Sequence, residues 1–545
     1  MVIVAQEKTE RLKVVEDIWD SEKILSLAEN LAEQYSSETS SSDRKIKGQF
    51  FTPKEVAVFM AGMFDIRDKK SIRFLDPGAG IGMLTAAFCS RLLLEKKKVP
   101  VAITVYENDK DVCPNLHKVL EACRSALEKS GCDVSVEHKQ EDFIEENVGY
   151  VQEGTLFASV GDMPRYDCIV SNPPYFKLNK DSRQAKLMST FVSGQPNIYA
   201  FFMALSLKML SQQGEMVYIT PRSFCSGLYF KRFRKWLLDI GHFNRIHMFK
   251  SRKNVFTKNE VLQENVIVSL SPSDTKNIYS KVVVSTSDDR QFHNLKEYRF
   301  DKEDVLHRSN GDVFIKIPSS VIDVEVQHAI STWSSTLKDF GIKASTGPVV
   351  SFRATQHLSP TFIDKRTVPL LWMHNIQDMQ VVWPLEKKKR EHAIKSHKES
   401  KPLLLPTKNY VLIKRFSSKE QKRRLYAAVL KKSDFNFEYL GIENHLNYVF
   451  RNDGELTLEE AYGISGILNT SIMDAFFRMM NGNTQVNAVD IMNLPLPSLD
   501  NIKKIGKSII KKNPTIGQEL DKTVSDVLGI NEKLIDKLNT REEAE

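Results

Sequence analysis

Seven short β-rich runs alternate with helical stretches between Gly48 and about Leu270, and this alternation restricts the possible folds more than any other feature. The runs are SIRFLD, AITVYEND, VSVEH, YDCIVSN, EMVYIT, RIHMF and NVIVSL. Strands that alternate with helices favour a mostly parallel sheet with helices on both faces. We therefore predict an α/β domain in this part of the chain.

The 545 residues exceed what one ordinary hydrophobic core contains, so we expect more than one domain. We predict a helical lead-in and linker over residues 1–45, the α/β domain over 46–275, an α+β region over 276–500 and a helical tail over 501–545. No apolar run approaches the length of a membrane span, and the N-terminus lacks the features of a signal peptide. We therefore expect a cytoplasmic protein with no membrane partner.

Two compositional features narrow the class of partner. The six cysteines contain no CxxC pair, so we expect reduced thiols and no metal site. The formal net charge of +8 is compatible with a polyanionic partner.

A glycine-rich turn follows the first predicted strand in FLDPGAGIGMLTAAF (74–88). Gly78, Gly80 and Gly82 allow a tight turn and a close approach of the backbone to a ligand. Asp76, at the strand tip, would repel a pyrophosphate but suits a cationic or hydroxyl-bearing ligand. A glycine loop alone is weak evidence for any ligand.

The next two strands also end in acids. VYENDK (105–110) offers Glu107 where a ribose diol would be held, and EDF (141–143) offers an acid and an aromatic suited to an adenine amino group and ring. Acids around a glycine loop describe a nucleoside that carries positive charge. S-adenosylmethionine fits this description and NAD does not, although incidental loop acids would explain any single strand tip.

The fourth strand ends in a stiff corner, YDCIVSNPPYFKL (166–178). The Asn172 side-chain oxygen and the Pro173 carbonyl could accept hydrogen bonds from an exocyclic amine, and Tyr175 could stack on a planar base. Two such acceptors would restore nucleophilicity to a nitrogen whose lone pair is delocalised into a ring. The alternative is that Pro-Pro only stiffens a loop.

GQFFTPKEVAVFMAGMF (48–64) precedes the first strand. Thr52, Pro53 and Glu55 predict a helix start with a capping box and proline at its first position. A second interpretation is a lid over the methionine end of a cofactor.

Together these motifs resemble the N6-adenine DNA methyltransferases of type II restriction–modification systems, in the order with the glycine loop before NPPY. NYVLIKRFSSKEQKRRL (409–425) and the run 466–497 are similar to the PstI/BsuBI type of modification methylase. The resemblance implies a Rossmann-like class I S-adenosylmethionine-dependent methyltransferase domain with a mixed seven-stranded sheet. It also implies a C-terminal α+β domain that recognises a target sequence in double-stranded DNA, and an activity specific for adenine N6.

The resemblance also assigns residues to roles. The residues that would hold S-adenosylmethionine are Thr52, Asp76, Gly78, Gly80, Glu107, Asn108, Asp142 and Phe143. The target adenine, flipped out of the duplex, would be held by Asn172, Pro173, Tyr175 and Phe256. Candidate DNA contacts, from their cationic and amide side chains, are Arg353, Lys414, Arg415, Arg423, Arg424, Asn483 and Gln485. A cognate restriction endonuclease and a bacterial or archaeal nucleoid location are further expectations.

Two other functions compete with this interpretation. One is methylation of another amide or amine, such as a protein glutamine or an RNA adenine, but such enzymes resemble a single domain with a small helical piece. The other is a non-catalytic DNA-binding subunit, against which the intact Asp76, Glu107, Asn172 and Tyr175 argue.

Overall fold

The computed structural model describes residues 2–40, 42–43, 48–151, 162–179, 181–188, 197–250, 264–273, 281–385, 390–417 and 421–544. The chain divides into two compact units, residues 1–305 and 306–545. Each unit has its own hydrophobic core.

The first unit is built on one large sheet with helices around it. Its strands are β1 (Ile72–Asp76), β2 (Val101–Tyr106), β3 (Val134–Lys139), β4 (Tyr166–Ser171), β5 (Leu210–Pro221), β6 (Gly241–Phe249), β7 (Asn265–Pro272), β8 (Lys281–Ser287) and β9 (Lys296–Asp301). Its helices are α1 (Val2–Glu38), α2 (Lys54–Gly62), α3 (Met83–Leu94), α4 (Cys113–Ser130), α5 (Phe143–Asn147), α6 (Arg183–Leu187), α7 (Ile198–Lys208) and α8 (Lys231–Ile240).

The strand order is β3-β2-β1-β4-β5-β7-β6-β8-β9. Neighbours from β3 to β5 are parallel, and β7 is antiparallel to both β5 and β6. The seven strands predicted from the sequence are all present, and β8 and β9 extend the sheet to nine. The α/β prediction is therefore confirmed, with a sheet two strands wider than expected.

The extra strands explain where the first unit ends. Because β8 pairs with β6 and β9 with β8, the compact unit continues to residue 305 rather than to the predicted 275. The lead-in helix α1 also belongs to this unit, since Ile24, Leu25 and Leu31 are buried in the same core as β1.

The sheet topology brings two of the predicted motifs together. Strand β1 lies between β2 and β4, with Leu75 in register with Ile169. Since parallel strands end at the same edge, the glycine turn after β1 and the Asn-Pro-Pro-Tyr corner after β4 are neighbours. Open α/β sheets bind ligands at this edge.

The second unit mixes short strands with helices. Its strands are β10 (Leu306–Ser309), β11 (Asp312–Ile315), β12 (Ile342–Thr346), β13 (Leu358–Ser359), β14 (Thr367–Leu371), β15 (Ile376–Gln377), β16 (Gln380–Val381), β17 (Ala393–Lys395), β18 (Leu404–Pro406), β19 (Tyr410–Lys414), β20 (Ala427–Leu430), β21 (Tyr439–Ile442) and β22 (Leu446–Arg451). Its helices are α9 (Val321–Ala329), α10 (Leu458–Leu468), α11 (Ser471–Met480), α12 (Ala488–Met492), α13 (Leu499–Lys512), α14 (Gln518–Leu528) and α15 (Glu532–Ala544).

These strands form a hairpin, β10-β11, and two sheets, β12-β22-β19-β20-β16-β15 and β13-β17-β14-β21-β18. The mixed composition agrees with the predicted α+β region. None of the helices in the described ranges combines the length and the apolarity that crossing a lipid bilayer requires.

Two glycines allow α10 and α13 to approach backbone to backbone. A Cβ on Gly463 would overlap the Ile502 carbonyl, and a Cβ on Gly506 would overlap the Glu459 carbonyl. Neither backbone carbonyl can move without shifting its helix, so any larger residue forces the helices apart.

We predict that Gly506→Ala lowers the free energy of unfolding by about 1–3 kcal/mol, because the overlap outweighs the better helix propensity of alanine. The matched control is Gly62→Ala in α2, where a Cβ meets no atom within 4 Å. This control should leave stability unchanged or raise it by up to about 1 kcal/mol. Thermal unfolding of both variants tests this, and an unchanged midpoint for Gly506→Ala would contradict the helix contact.

Candidate active site

Asp76 ends β1 as a completely buried carboxylate. Its Oδ2 accepts a hydrogen bond from the Thr85 hydroxyl at 3.0 Å. Its Oδ1 is buried and has no hydrogen bond of standard geometry among the described residues, although the Gly78 backbone N–H lies near enough to the carboxylate to oppose the rise in its pKa. Burial raises the pKa of Asp76 to about 7. A buried oxygen without a donor is costly, so this atom marks a place where a ligand could donate or bring positive charge.

Glu107, after β2, ties the glycine turn to the next strand. Its two carboxylate oxygens accept from the Gly80 and Asp109 backbone N–H groups, both at 2.9 Å. Gly80 has φ +54°, a conformation that a residue with a Cβ rarely adopts. Burial raises the pKa of the Glu107 carboxyl. Asn108, the next residue, is exposed. The structure therefore brings Asp76, Gly80 and Glu107 to one edge of the sheet.

Asp142 and Phe143 begin α5. One Asp142 oxygen caps the helix by accepting from the Ile144 and Glu145 backbone N–H groups, each at 2.9 Å. The Phe143 ring is 2% exposed, and its centroid lies 5.1 Å from the Tyr106 ring. Phe143 thus lies in the packed interior rather than as the open stacking face that the sequence suggested.

The corner after β4 holds the Asn172 amide in one orientation. Its Nδ2 donates to the Phe50 carbonyl at 2.8 Å and to Thr52 Oγ1 at 3.1 Å. An amide nitrogen carries only two hydrogens, so both are engaged. Its Oδ1 lies 2.6 Å from the Tyr175 hydroxyl and can accept one more hydrogen bond.

Tyr175 is held at both ends. Its hydroxyl is within hydrogen-bond distance of the Ile219 carbonyl (2.8 Å) as well as Asn172 Oδ1. Its ring stacks on Phe50, with centroids 6.3 Å apart and planes 19° apart. Burial raises the pKa of the Tyr175 hydroxyl well above its ordinary value, which keeps it a neutral donor.

The capping box predicted at Thr52 is wrong. Helix α2 begins after Pro53, and no side chain of the described residues caps it. The Thr52 oxygen instead accepts from Asn172, 120 residues away. Phe50, which was not among the residues predicted for the site, contacts the corner with both its carbonyl and its ring. The adjacent aromatics of GQFFTP were the available signal.

Two further assignments concern residues around the corner. Pro173 is buried, and its carbonyl has no protein donor in the described ranges. Phe256 lies outside the described residues. No group of three or more His, Cys, Asp or Glu side chains in the described part of the chain suits a metal ion.

In the second unit, Arg423 and Arg424 are interior residues, 4% and 1% exposed. Arg423 donates to the Asn469 carbonyl, and Arg424 donates to the Asn481 and Asn483 carbonyls. The phosphate contacts predicted for these two arginines are therefore wrong, because a buried guanidinium that donates to backbone oxygens cannot reach a phosphate.

The other candidate DNA contacts are exposed or half-buried, although the half-buried Arg415 also donates to a backbone carbonyl, that of Asn444, at 3.0 Å. Arg353 is exposed, and its guanidinium lies 5.4 Å from the Phe352 ring centroid. Lys414 lies 4.8 Å from the Tyr426 ring, and its partial burial lowers its pKa. Three further candidates, Arg415, Asn483 and Gln485, are half-buried.

The chain is similar to known restriction-modification methylases. Residues 89–256 match the family described as Eco57I restriction-modification methylase. The chain is 35% identical to the type II methyltransferase M.BsuBI of Bacillus subtilis over 88% of this chain and 94% of that protein. It is 34% identical to M.PstI of Providencia stuartii over 89% of this chain and 93% of that protein.

Among solved structures, the type IIL restriction-modification enzyme MmeI in complex with DNA shares the fold. It matches with a TM-score of 0.51 and 13% identity, over 95% of this chain and 78% of that one. Because two relatives at 35% and 34% identity are matched over 94% and 93% of their lengths, this chain belongs to the family of type II restriction–modification methyltransferases.

Proposed function

We propose that this chain is a sequence-specific DNA methyltransferase that methylates N6 of an adenine in double-stranded DNA, with S-adenosylmethionine as the donor. Its role would be to protect host DNA, with a cognate restriction endonuclease acting on the same site. The fixed orientation of the Asn172 amide is the observation that carries this proposal.

The orientation matters because of the chemistry of the target amine. The lone pair of an exocyclic amine on a purine is delocalised into the ring, so the nitrogen is a poor nucleophile. With both Nδ2 hydrogens engaged, Asn172 presents Oδ1 as an acceptor, and the Pro173 carbonyl is a second one. Two acceptors on the two N–H bonds would draw the nitrogen toward sp³ geometry. Neither acceptor is basic, so the proton would leave after methyl transfer.

The buried Asp76 carboxylate supports a cationic cofactor at the adjacent strand end. The Asp76 Oδ1 would suit a cationic or hydroxyl-bearing part of S-adenosylmethionine, and Glu107 would suit its ribose diol. The glycine turn would let the backbone approach the cofactor closely. When bound, S-adenosylmethionine supplies a methyl group activated by a sulfonium. We assign its binding to Thr52, Asp76, Gly78, Gly80, Glu107, Asn108, Asp142 and Phe143.

Double-stranded DNA as the substrate requires that the target base leave the stack. In a duplex the adenine N6 is paired and its ring is covered, so neither acceptor of the corner could reach it. We propose that the base is extruded and stacks against Tyr175.

Extrusion is testable with 2-aminopurine in place of the target adenine. We expect its fluorescence to rise several-fold on binding, because the base loses its stacked neighbours. The same duplex with 2-aminopurine at an adenine outside the site is the control and should not brighten. Equal signals at both positions would contradict specific extrusion.

We predict that Asn172→Ala reduces methyl transfer by at least about 10³-fold, because it removes the oriented acceptor. The affinity for S-adenosylmethionine should stay within about twofold of wild type, since Asn172 is not among the residues assigned to it. Single-turnover transfer and calorimetry measure the two quantities.

Asn115→Ala, which changes a half-buried asparagine of α4, is the matched control and should retain full activity. Long-read mapping of N6-methyladenine in DNA treated with wild-type protein identifies both the base and the site. Near-wild-type turnover by Asn172→Ala, or methylation of another base or of protein, would overturn the proposal.

The raised pKa of Asp76 predicts a pH dependence of cofactor binding. The free carboxyl is protonated below about pH 7, and a positively charged ligand favours the carboxylate. Affinity for S-adenosylmethionine should therefore rise from pH 5.5 to 7 by up to about tenfold per unit and then level off.

Asp76→Asn should remove this rise, whereas Asp111→Asn, a change of an exposed acid after β2, should preserve it. Calorimetric titrations at several pH values provide the measurement. A wild-type affinity that is flat across this range would show that Asp76 does not bind the positive charge.

A further inference from the structure

Four segments of the second unit meet around the turn between β21 and β22, and we call them the recognition patch: residues 347–353, 414–417, 443–447 and 483–486. The first segment is joined to this turn by the Asn444 N–H, which donates to the Val349 carbonyl at 2.9 Å. The Arg415 N–H donates to the His445 carbonyl at 2.9 Å, and the Val486 N–H donates to the Arg415 carbonyl at 2.8 Å.

The first segment lies unusually close to the turn. A Cβ on Gly347 would overlap the carbonyls of Ile442 and Glu443, so only glycine allows this approach. The turn is therefore held by backbone contacts on both sides.

The charged side chains of the recognition patch that reach the surface are all basic. Arg353 is exposed, and Lys414 and Arg415 are half-buried, with the Arg415 guanidinium donating to the Asn444 carbonyl at 3.0 Å. His445 lies beside them with 40% of its side chain exposed. The only acidic residue in the four segments is Glu443, whose side chain is completely buried. Phe352, at 73% exposure, adds an aromatic ring to the same surface. A cationic surface with an exposed aromatic suits nucleic acid.

Glu443 and His445 form a pair in which the buried carboxylate fixes the orientation of the partly exposed imidazole ring. Both Glu443 oxygens lie close to His445 Nδ1, at 2.7 and 2.8 Å, and Oε2 also accepts from the His445 N–H at 2.8 Å. The ring of His445 lies 4.9 Å from the Phe416 ring. Since Nδ1 is committed to the carboxylate, Nε2 is the ring nitrogen left to meet a ligand, and it has no protein partner in the described ranges.

Packing alone does not account for this pair. A fully buried carboxylate is costly and persists only where its hydrogen bonds compensate. Here its side-chain partners are the Ser351 hydroxyl, 3.5 Å from Oε1, and a histidine that remains 40% exposed, so the carboxylate orients a ring at the surface. Residues that are held rigidly in this way are suited to distinguish one ligand edge from another.

We propose that His445 contacts the edge of a base pair in the DNA recognition sequence, and that Glu443 is the positioning residue that fixes its ring. This inference rests on the proposed function and assigns part of its sequence specificity. Base edges in the major groove present acceptors and donors at fixed places, so a fixed ring nitrogen prefers some base pairs over others. Asn483 and Gln485, both half-buried, lie in the neighbouring segment 483–486.

His445→Asn separates this role from a structural one. The Asn amide nitrogen replaces Nδ1 as a donor to Glu443, while Nε2 is removed. We expect an unchanged unfolding midpoint. We also expect a loss of sequence discrimination, which is the dissociation constant for a scrambled duplex divided by that for the duplex that wild type methylates. This ratio should fall about 5- to 100-fold. Fluorescence anisotropy at fixed salt measures both constants.

His328→Ala is the matched control, because His328 is an exposed histidine of α9 outside the four segments. It should leave the ratio unchanged. An unchanged ratio for His445→Asn would overturn the inference. So would an equal weakening on both duplexes with a shallower salt dependence, which would identify a phosphate contact instead.

Glu443→Gln tests the positioning role. It should lower the same ratio in the wild-type background but have little further effect in the His445→Asn background. If the Glu443→Gln variant does not fold, the ratio of dissociation constants measured for His445→Asn alone decides the inference. A wild-type protein that methylates no DNA would overturn the proposed function and this inference together, whereas active variants with unchanged specificity would overturn only the inference.

Discussion

The orientation of one amide is the constraint on which the active site depends. The Asn172 Nδ2 group is held by Phe50 and Thr52, which precede the first strand, and Oδ1 is held from the other side by Tyr175. The Tyr175 hydroxyl also lies 2.8 Å from the Ile219 carbonyl of β5, which competes with Asn172 Oδ1 for its single hydrogen. Three separate parts of the chain thus position a single oxygen, and the parallel neighbours β1, β4 and β5 bring them within reach of one another.

Burial of charge serves different purposes in the two units. At Asp76, burial leaves one carboxylate oxygen without a standard hydrogen bond among the described residues and raises the pKa of the carboxyl to about 7. At Arg424, burial is compensated by donation to backbone carbonyls, and the charge contributes to the fold. Glu443 shares features of both cases. Its buried carboxylate is hydrogen-bonded, as the charge of Arg424 is, but its partner His445 remains partly exposed. The partners of a buried charge, rather than its presence, indicate its role.

Local features of the sequence predicted much of the fold and part of the site. The seven strands lie where the β-rich runs lie, because strand formation and burial in a parallel sheet leave a direct hydrophobic pattern. The glycine turn and the acids at strand tips followed from that pattern. The capping box at Thr52 and the phosphate contacts of Arg423 and Arg424 were wrong, because each depended on partners distant in the chain.

The sequence by itself determined the order of elements, the residues at the strand ends and the family to which the motifs point, since these depend on neighbours in the chain. Only the tertiary structure decided which polar groups are satisfied and which remain available. Hydrogen bonds between residues more than one hundred positions apart orient Asn172, and a buried carboxylate orients His445. Such contacts arise from chain topology and close packing, which composition and spacing do not encode locally.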